Sequence, residues 1–162
     1  MPFPNKINAS MPVAAEGDFA SANTYASALN PIEASFVTGN NGVTVGRFAW
    51  ADANGIVSNT GTGAPTGFVH RHQTAMITQW LAENGNVIMA GQPIDVMSRG
   101  DFWVKTTTAA AIGQKVFANL TDGSISTGAA GATVSGSVET KWEVASAGDV
   151  GDAIKITTWG NH

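Results

Sequence analysis

Chemistry in this chain would have to start from its three histidines, two of which, His70 and His72, stand two residues apart. On a strand that spacing puts both imidazoles on one face, within reach of a common metal ion. Metal-binding jelly rolls built on a His-x-His pair add a carboxylate and a third histidine close by. Here the residues four and five beyond His72 are Met76 and Ile77. The first carboxylate is Glu83, and the third histidine is the terminal His162. The ligand count falls short. No metal and no cofactor is expected, and His70 and His72 fit a strand edge or an interface contact beside Arg71 better.

Other reaction types find no footing either. Serines are plentiful, yet none stands in a Gly-x-Ser-x-Gly elbow with a legible Asp/His partner pattern. Cysteine is absent, which removes disulfides, thiolate nucleophiles and Cys-ligated zinc. Asp18, Asp52, Asp101, Asp122, Asp149 and Asp152 stand where turns are expected, a role their side chains fill by bonding nearby backbone. The glycine-rich Gly61-Thr62-Gly63 and Gly128-Ala129-Ala130-Gly131 do not lead into a helix carrying Lys-Ser/Thr, so they are not phosphate loops. The chain reads as a non-enzyme.

Five tryptophans are the largest apolar investment. Trp50, with either Trp103 or Phe102, is expected in the core. Trp142, between Lys141 and Glu143, and Trp159, near the end, are expected to face outward. Exposed tryptophan marks interfaces, so both join the candidate partner contacts, with Arg71 and with Phe3, Ile7, Met11 and Phe19 of the N-terminal stretch.

The elements that must position these residues are short strands. The centre is Gly91 to Lys105, read as two strands around the polar turn Ser98-Arg99-Gly100-Asp101. Ile94, Val96, Phe102 and Val104 share one face at a period of two, with Trp103 and Lys105 on the other. Val43 to Trp50 alternates, with Phe48 and Trp50 on one side. Asn54-Gly55 and Asp122-Gly123 mark hairpin turns, and each follows a glycine and a strand, so the chain builds the same hairpin twice. Ala75 to Leu81 is favoured as a strand. Glu139 to Val144 alternates charged and uncharged residues, which leaves one face wet, and Ala153 to Trp159 closes the chain. About nine strands with frequent glycine turns predict an all-β domain over residues 35–162, a sandwich or barrel.

Residues 1–34 differ. They carry Pro2, Pro4, Pro12 and Pro31 and thinly spread large apolar residues. Phe19-Ala22-Ala26-Leu29 could form a short helix ending before Asn30-Pro31. The stretch is either a solvated tail or an extended arm whose apolar residues dock on a neighbour, and so many large apolar groups speak for the arm.

The 162 residues need no covalent staple to bury a core. Charged residues make up 12% against about 25% in an ordinary domain. Such a surface loses little side-chain entropy when it is ordered against a partner. The net charge of −4, with no basic cluster, speaks against nucleic acid. The start, Met-Pro-Phe-Pro-Asn-Lys-Ile, has no charged and apolar leader pattern, and no apolar run is long enough to span a membrane. The expectation is a soluble protein made and kept in the cytoplasm, or released with something else.

Four segments together resemble the head cement, or capsid decoration, proteins of tailed bacteriophages. They are Gly46-Arg47-Phe48-Ala49-Trp50, Pro65-Thr66-Gly67-Phe68-Val69-His70-Arg71, Gly91 to Val96 with Gly100 to Val104, and Glu139-Thr140-Lys141-Trp142. The likeness rests on their order and spacing from about Asn30 to Trp159. It implies a jelly-roll-like sandwich or barrel with an extended N-terminal arm, assembled as a homo-oligomer, a dimer or trimer. Such a protein would sit on the outer capsid surface of the virion and bridge subunits of the major capsid protein against the pressure of packaged DNA. Because the matching segments are structural, no catalytic residue is carried over. The alternatives are a virion-surface adhesin or carbohydrate-binding jelly roll using Trp142 or Trp159, and a cupin-like metal enzyme using His70 and His72.

Overall fold

The computed structural model describes residues 13–71 and 85–160. These form fourteen strands and no helix. The early strands are β1 (Ala26–Ser27), β2 (Phe36–Thr38), β3 (Val43–Thr44), β4 (Phe48–Ala51) and β5 (Ile56–Ser58). Then come β6 (Gly67–Phe68), β7 (Val87–Ile88), β8 (Pro93–Ile94) and β9 (Met97–Arg99). The last third supplies β10 (Asp101–Lys105), β11 (Lys115–Asn119), β12 (Ile125–Gly128), β13 (Ser137–Val144) and β14 (Ala153–Thr157). A seven-stranded sheet, ordered β1-β9-β6-β4-β5-β2-β8, opposes a five-stranded sheet ordered β10-β14-β13-β11-β12, and β3 pairs with β7 as a separate ribbon. All pairings are antiparallel except β2 with β5. The arrangement is an open sandwich, so the barrel alternative falls away.

Alternation along the strands decides what is buried. Phe48, Trp50, Phe68 and Met97 point from the seven-stranded sheet into one core, where they meet Phe102, Val104, Trp142, Val144, Ile154 and Ile156 of the other sheet. Their neighbours Ala49, Val57, Val69 and Val96 point the opposite way, into a second core with Val43 and Ile88 of the ribbon. A sheet covered on both faces has no polar side to show, which is why Phe48-Ala49-Trp50 and Gly67-Phe68-Val69 read as unbroken apolar runs. Phe48 and Trp50 do share a face, and both repeated hairpins, β4–β5 and β11–β12, form as antiparallel pairs.

The expected central hairpin does not form. β9 pairs with β6 and β1, whereas β10 pairs with β14, so Ser98 to Asp101 carries the chain from one sheet to the other. Gly100 makes this crossing at φ 142, where a Cβ would meet the Phe102 ring at 2.9 Å. The apolar residues thought to share one face are therefore divided, Ile94 and Val96 in one core, Phe102 and Val104 in the other.

The described part of the N-terminal stretch pairs with its own chain. Over residues 17–28 it is an edge element of this chain's own sandwich, with no helix at Phe19. Gly17 N–H donates to Trp103 O at 2.7 Å, Trp103 N–H to Asp18 O at 2.9 Å, and Ala20 N–H to Asp101 O at 2.9 Å. Further on, β1 lies against β9 and Ala28 N–H donates to Val96 O. The stretch from Ser21 to Thr24 is poor in helix formers, and the unpaired edge of β10 offers it a ladder instead. Phe3, Ile7, Met11, His72, His162 and the segment Ala75 to Leu81 lie outside the described residues.

The tip of the β11–β12 hairpin locks the two sheets together. Phe48 N–H donates to Gly123 O at 2.9 Å, Gly61 N–H to Leu120 O at 3.0 Å, and Thr60 Oγ1 to Thr121 O at 2.7 Å. Arg47 Nη1 adds an ion pair to Asp122 at 2.9 Å. Gly123 has φ +69, and a Cβ there would stand 2.1 Å from Phe48 O. Gly123→Ala combines backbone strain with that collision. It should lower stability by more than about 2 kcal/mol in urea titration.

Partial burial raises the pKa of Asp122, but hydrogen bonds from Ser124 and the Arg47 guanidinium outweigh it and hold the carboxyl below its ordinary 3.8. A depressed folded-state value means stabilisation that is complete above about pH 4 and is lost as pH falls through the folded value. Asp122→Asn should flatten the acid limb of a stability-against-pH curve and leave its alkaline side unchanged.

Candidate interaction surface

Each sequence-derived contact residue has a definite fate. Trp142 is 1% exposed and lies among Phe48, Phe68 and Phe102, with centroids at 6.1, 5.9 and 5.7 Å. The outward placement is thereby overturned. Its chain neighbours Lys141 and Glu143 are charged, but adjacent residues on a strand point to opposite faces. Wet Lys141 and Glu143 therefore require a dry Trp142. A ring buried in the chain's own core has no face to offer a partner.

Trp159 is outside, at 43% exposed. Its indole N–H donates to Thr24 O at 3.1 Å, and the Arg99 guanidinium lies 5.8 Å over its ring. Phe19, 39% exposed, packs on Phe102 at 5.0 Å and on Tyr25 at 4.7 Å, while Tyr25 itself is more than half exposed. The 17–28 segment thus brings three accessible aromatics, Phe19, Tyr25 and Trp159, to one region where the two sheets meet. Leu29, Ile32 and Ile56 are exposed as well. The sequence reading missed Tyr25 and Arg99 as members of this patch, because only the edge pairing of residues 17–28 draws them together.

Arg71 serves the same segment from within. Its backbone N–H donates to Gly17 O at 2.7 Å, its Nε to Glu16 O at 3.3 Å, and its Nη2 to Asn86 at 2.7 Å. A 3.4 Å ion pair to Asp18 completes the fastening. His70 is buried, with its ring 5.4 Å from Phe19 and 6.4 Å from Phe102. It forms part of an open hollow of about 350 Å³ with Ile88, Pro93, Ile94 and Asp95. Among the described residues no three His, Cys, Asp or Glu side chains come together as a metal site would need.

A second hollow, about 260 Å³, lies between the N-terminal segment and the outer face of the five-stranded sheet, lined by Ser21, Asn23, Asp101, Lys155 and Thr157. Asp101 is already engaged there. Its Oδ2 accepts from Ser21 and Asn23, and its Oδ1 from Thr157, all at 2.6 Å. Its three donors, two from the N-terminal segment and one from β14, make Asp101 a fastening point between that segment and the sheet.

The comparisons with known proteins bear on a surface of this kind. Residues 3–158 match the family model described as XM1 gp53 minor capsid protein. The chain belongs to that family. A solved structure described as the capsid of the Myoviridae phage XM1 contains a chain of the same fold. It matches with a TM-score of 0.64 and 21% identity over 98% of each chain. None of the curated proteins compared matches. Membership in the minor capsid family places the chain among structural, capsid-associated phage proteins, and hence in the virion. The likeness to tailed-phage capsid proteins read from the four segments agrees with this.

The two tryptophans now differ sharply in what they should do for stability. Trp142→Ala empties the core between the sheets and should cost about 3–5 kcal/mol. Trp159→Ala removes a half-exposed ring with one hydrogen bond and should cost about 1 kcal/mol. Chemical denaturation of both variants, followed by circular dichroism, checks the contrast.

Proposed function

We propose that this chain is a cement protein that binds the outer surface of a tailed-phage capsid and bridges subunits of the major capsid protein. It does so as a small homo-oligomer, a dimer or trimer, made in the bacterial host cytoplasm, and it carries no catalytic activity. The observation that supports this most is the exposed aromatic patch of Phe19, Tyr25 and Trp159, set on a rigid double-core sandwich in a chain of a minor capsid family. Accessible aromatics on a low-charge surface are what a protein interface uses. Phe3, Ile7 and Met11 would add apolar contacts from the residues ahead of the patch.

The clamp needs no single tight contact. A standard interface buries about 800 Å² per partner. An oligomer tied to several shell subunits then gains avidity because the second contact forms at a high effective concentration.

A carbohydrate-binding adhesin is the second reading, and the polar hollow beside Lys155 is what favours it. The prior engagement of Asp101 with Ser21, Asn23 and Thr157 weighs against it, since a sugar hydroxyl would have to displace bonds already made.

Co-sedimentation of the purified chain with assembled, undecorated shells decides between them. Saturable binding at a fixed ratio to the major capsid protein is expected, weakened by Tyr25→Ser. Absence of binding to shells, together with a positive glycan screen, would replace the cement reading by the adhesin.

A further inference from the structure

The outer face of the five-stranded sheet carries a charge pattern that the apolar patch does not explain. On it, Asp101 and Glu143 both pair with Thr157 across the strands, Trp103 stands opposite Lys155, and Lys105 lies opposite Ala153. The pattern alternates along the strands. Asp101, Thr157, Glu143 and Lys115 form a row with carboxylates in it. Two residues to one side come Trp103 and Lys155, and two to the other come Trp159 and Lys141, with Arg99 over the indole.

The two signs are treated differently. Every carboxylate on this face is held by donors of the same chain. Asp101 takes three hydrogen bonds, Glu143 an ion pair from Lys115 at 2.6 Å, and Glu139 the N–H of Gly131 at 2.7 Å. Among the described residues, Arg99, Lys105, Lys141 and Lys155 make no ion pair. Two of these cations are held by aromatic faces instead, Lys155 at 5.0 Å from Trp103 and Arg99 at 5.8 Å from Trp159. A cation over an indole is attracted by the ring quadrupole and loses rotamer freedom, while its outer side remains open. Burial, and then the nearby Arg99 guanidinium, lower the pKa of Lys141. An incoming carboxylate would relieve that like-charge contact.

We infer that this face, with Arg99, Lys141, Lys155 and Lys105 around Trp103 and Trp159, is a docking surface for a carboxylate-rich patch on a protein partner. The inference rests on the reading that the chain binds the shell, and it names the chemistry of the surface met there. Nucleic acid fits less well. A polyanion is drawn by long-range field, and here four open cations sit in a chain of net charge −4. Short-range pairing with a few carboxylates works against that background, and indoles beside cations are the side chains that protein interfaces favour.

The test is co-sedimentation of the full chain with undecorated shells over a salt series. The natural chain is compared with Lys141→Glu/Lys155→Glu and with Lys141→Arg/Lys155→Arg, each first shown by thermal unfolding to be folded. Binding by the natural chain should weaken with salt. The glutamate pair should lose about tenfold or more in affinity, and the arginine pair should keep it. Equal binding by the glutamate pair with a flat salt response overturns the inference and leaves shell binding intact. Displacement of the chain from shells by duplex DNA overturns it in favour of nucleic acid. If the natural chain does not sediment with shells, the shell reading fails, and a poly-glutamate column decides the face. Retention lost in the glutamate pair supports an acidic partner elsewhere, and no retention overturns the inference.

Discussion

Everything in this molecule hangs on the ring cluster between its two sheets. Phe68 is its middle, with Phe102 at 4.9 Å, Phe48 at 5.7 Å and Trp142 at 5.9 Å. The rings meet tilted or edge-on, the arrangements their quadrupoles prefer, and each takes roughly 150–250 Å² out of water. Phe68 belongs to a strand of only two residues, so backbone pairing alone cannot hold it. It is held because β6 is caught between β4 and β9 on its edges while both its faces are buried. The hairpin tip at Asp122-Gly123 then fixes the spacing of the sheets with backbone hydrogen bonds, where side-chain packing alone would allow sliding.

An open sandwich leaves strand edges, and edges invite unwanted pairing. This chain covers them with its own irregular segments. Residues 17–20 lie along β10, and Thr107 N–H and Oγ1 both reach Ile125 O on β12. Thr108 and Ala109 continue that cover against Thr127. At one end of the seven-stranded sheet, β8 begins with Pro93, which has no N–H to donate. With the edges of its five-stranded sheet covered in this way, the proposed docking there would run through side chains rather than by adding a strand. That directs attention to the sheet's outer face and to the aromatics gathered by the N-terminal segment.

Much of the fold was legible because period-two alternation is a local property. The β4–β5 and β11–β12 hairpins, the burial of Phe48 and Trp50, and the wet face of β13 all follow from residues close in sequence. What was missed depends on pairing across long separations. Nothing local shows that Gly100 crosses between sheets instead of turning a hairpin, because Ser-Arg-Gly-Asp is good turn chemistry in either setting. The short helix that the spacing of Phe19, Ala22, Ala26 and Leu29 allowed gives way to a ladder offered by β10, more than eighty residues away. Trp142 was a different kind of error. The alternation that marks Lys141 and Glu143 as wet requires it to be dry, because chain neighbours on a strand are not spatial neighbours. At the candidate surface, Phe19 was legible as a large apolar residue ahead of the strands and Trp159 as an aromatic at the end of the last one, whereas Arg99 and Tyr25 join them only through the fold.

The sparse charge of the chain acquires a meaning once its distribution is known. Of eight lysines and arginines, Arg47, Arg71 and Lys115 are consumed in internal ion pairs. Arg99, Lys105, Lys141 and Lys155 are gathered on or beside one sheet face. Internal pairs in partly exposed positions add little stability, so the internal set acts mainly as fastening, Arg47 at the hairpin tip and Arg71 at the N-terminal segment. Among the remaining cations, Lys141 has its pKa lowered by burial and then by the nearby Arg99 guanidinium. A surface that carries repulsion when alone and loses it against carboxylates discriminates by sign, and so specifies orientation as much as affinity. The aromatic patch supplies contact area without direction. Cations held over indoles supply direction without much area, and the proposed role as cement on a repetitive shell would need both.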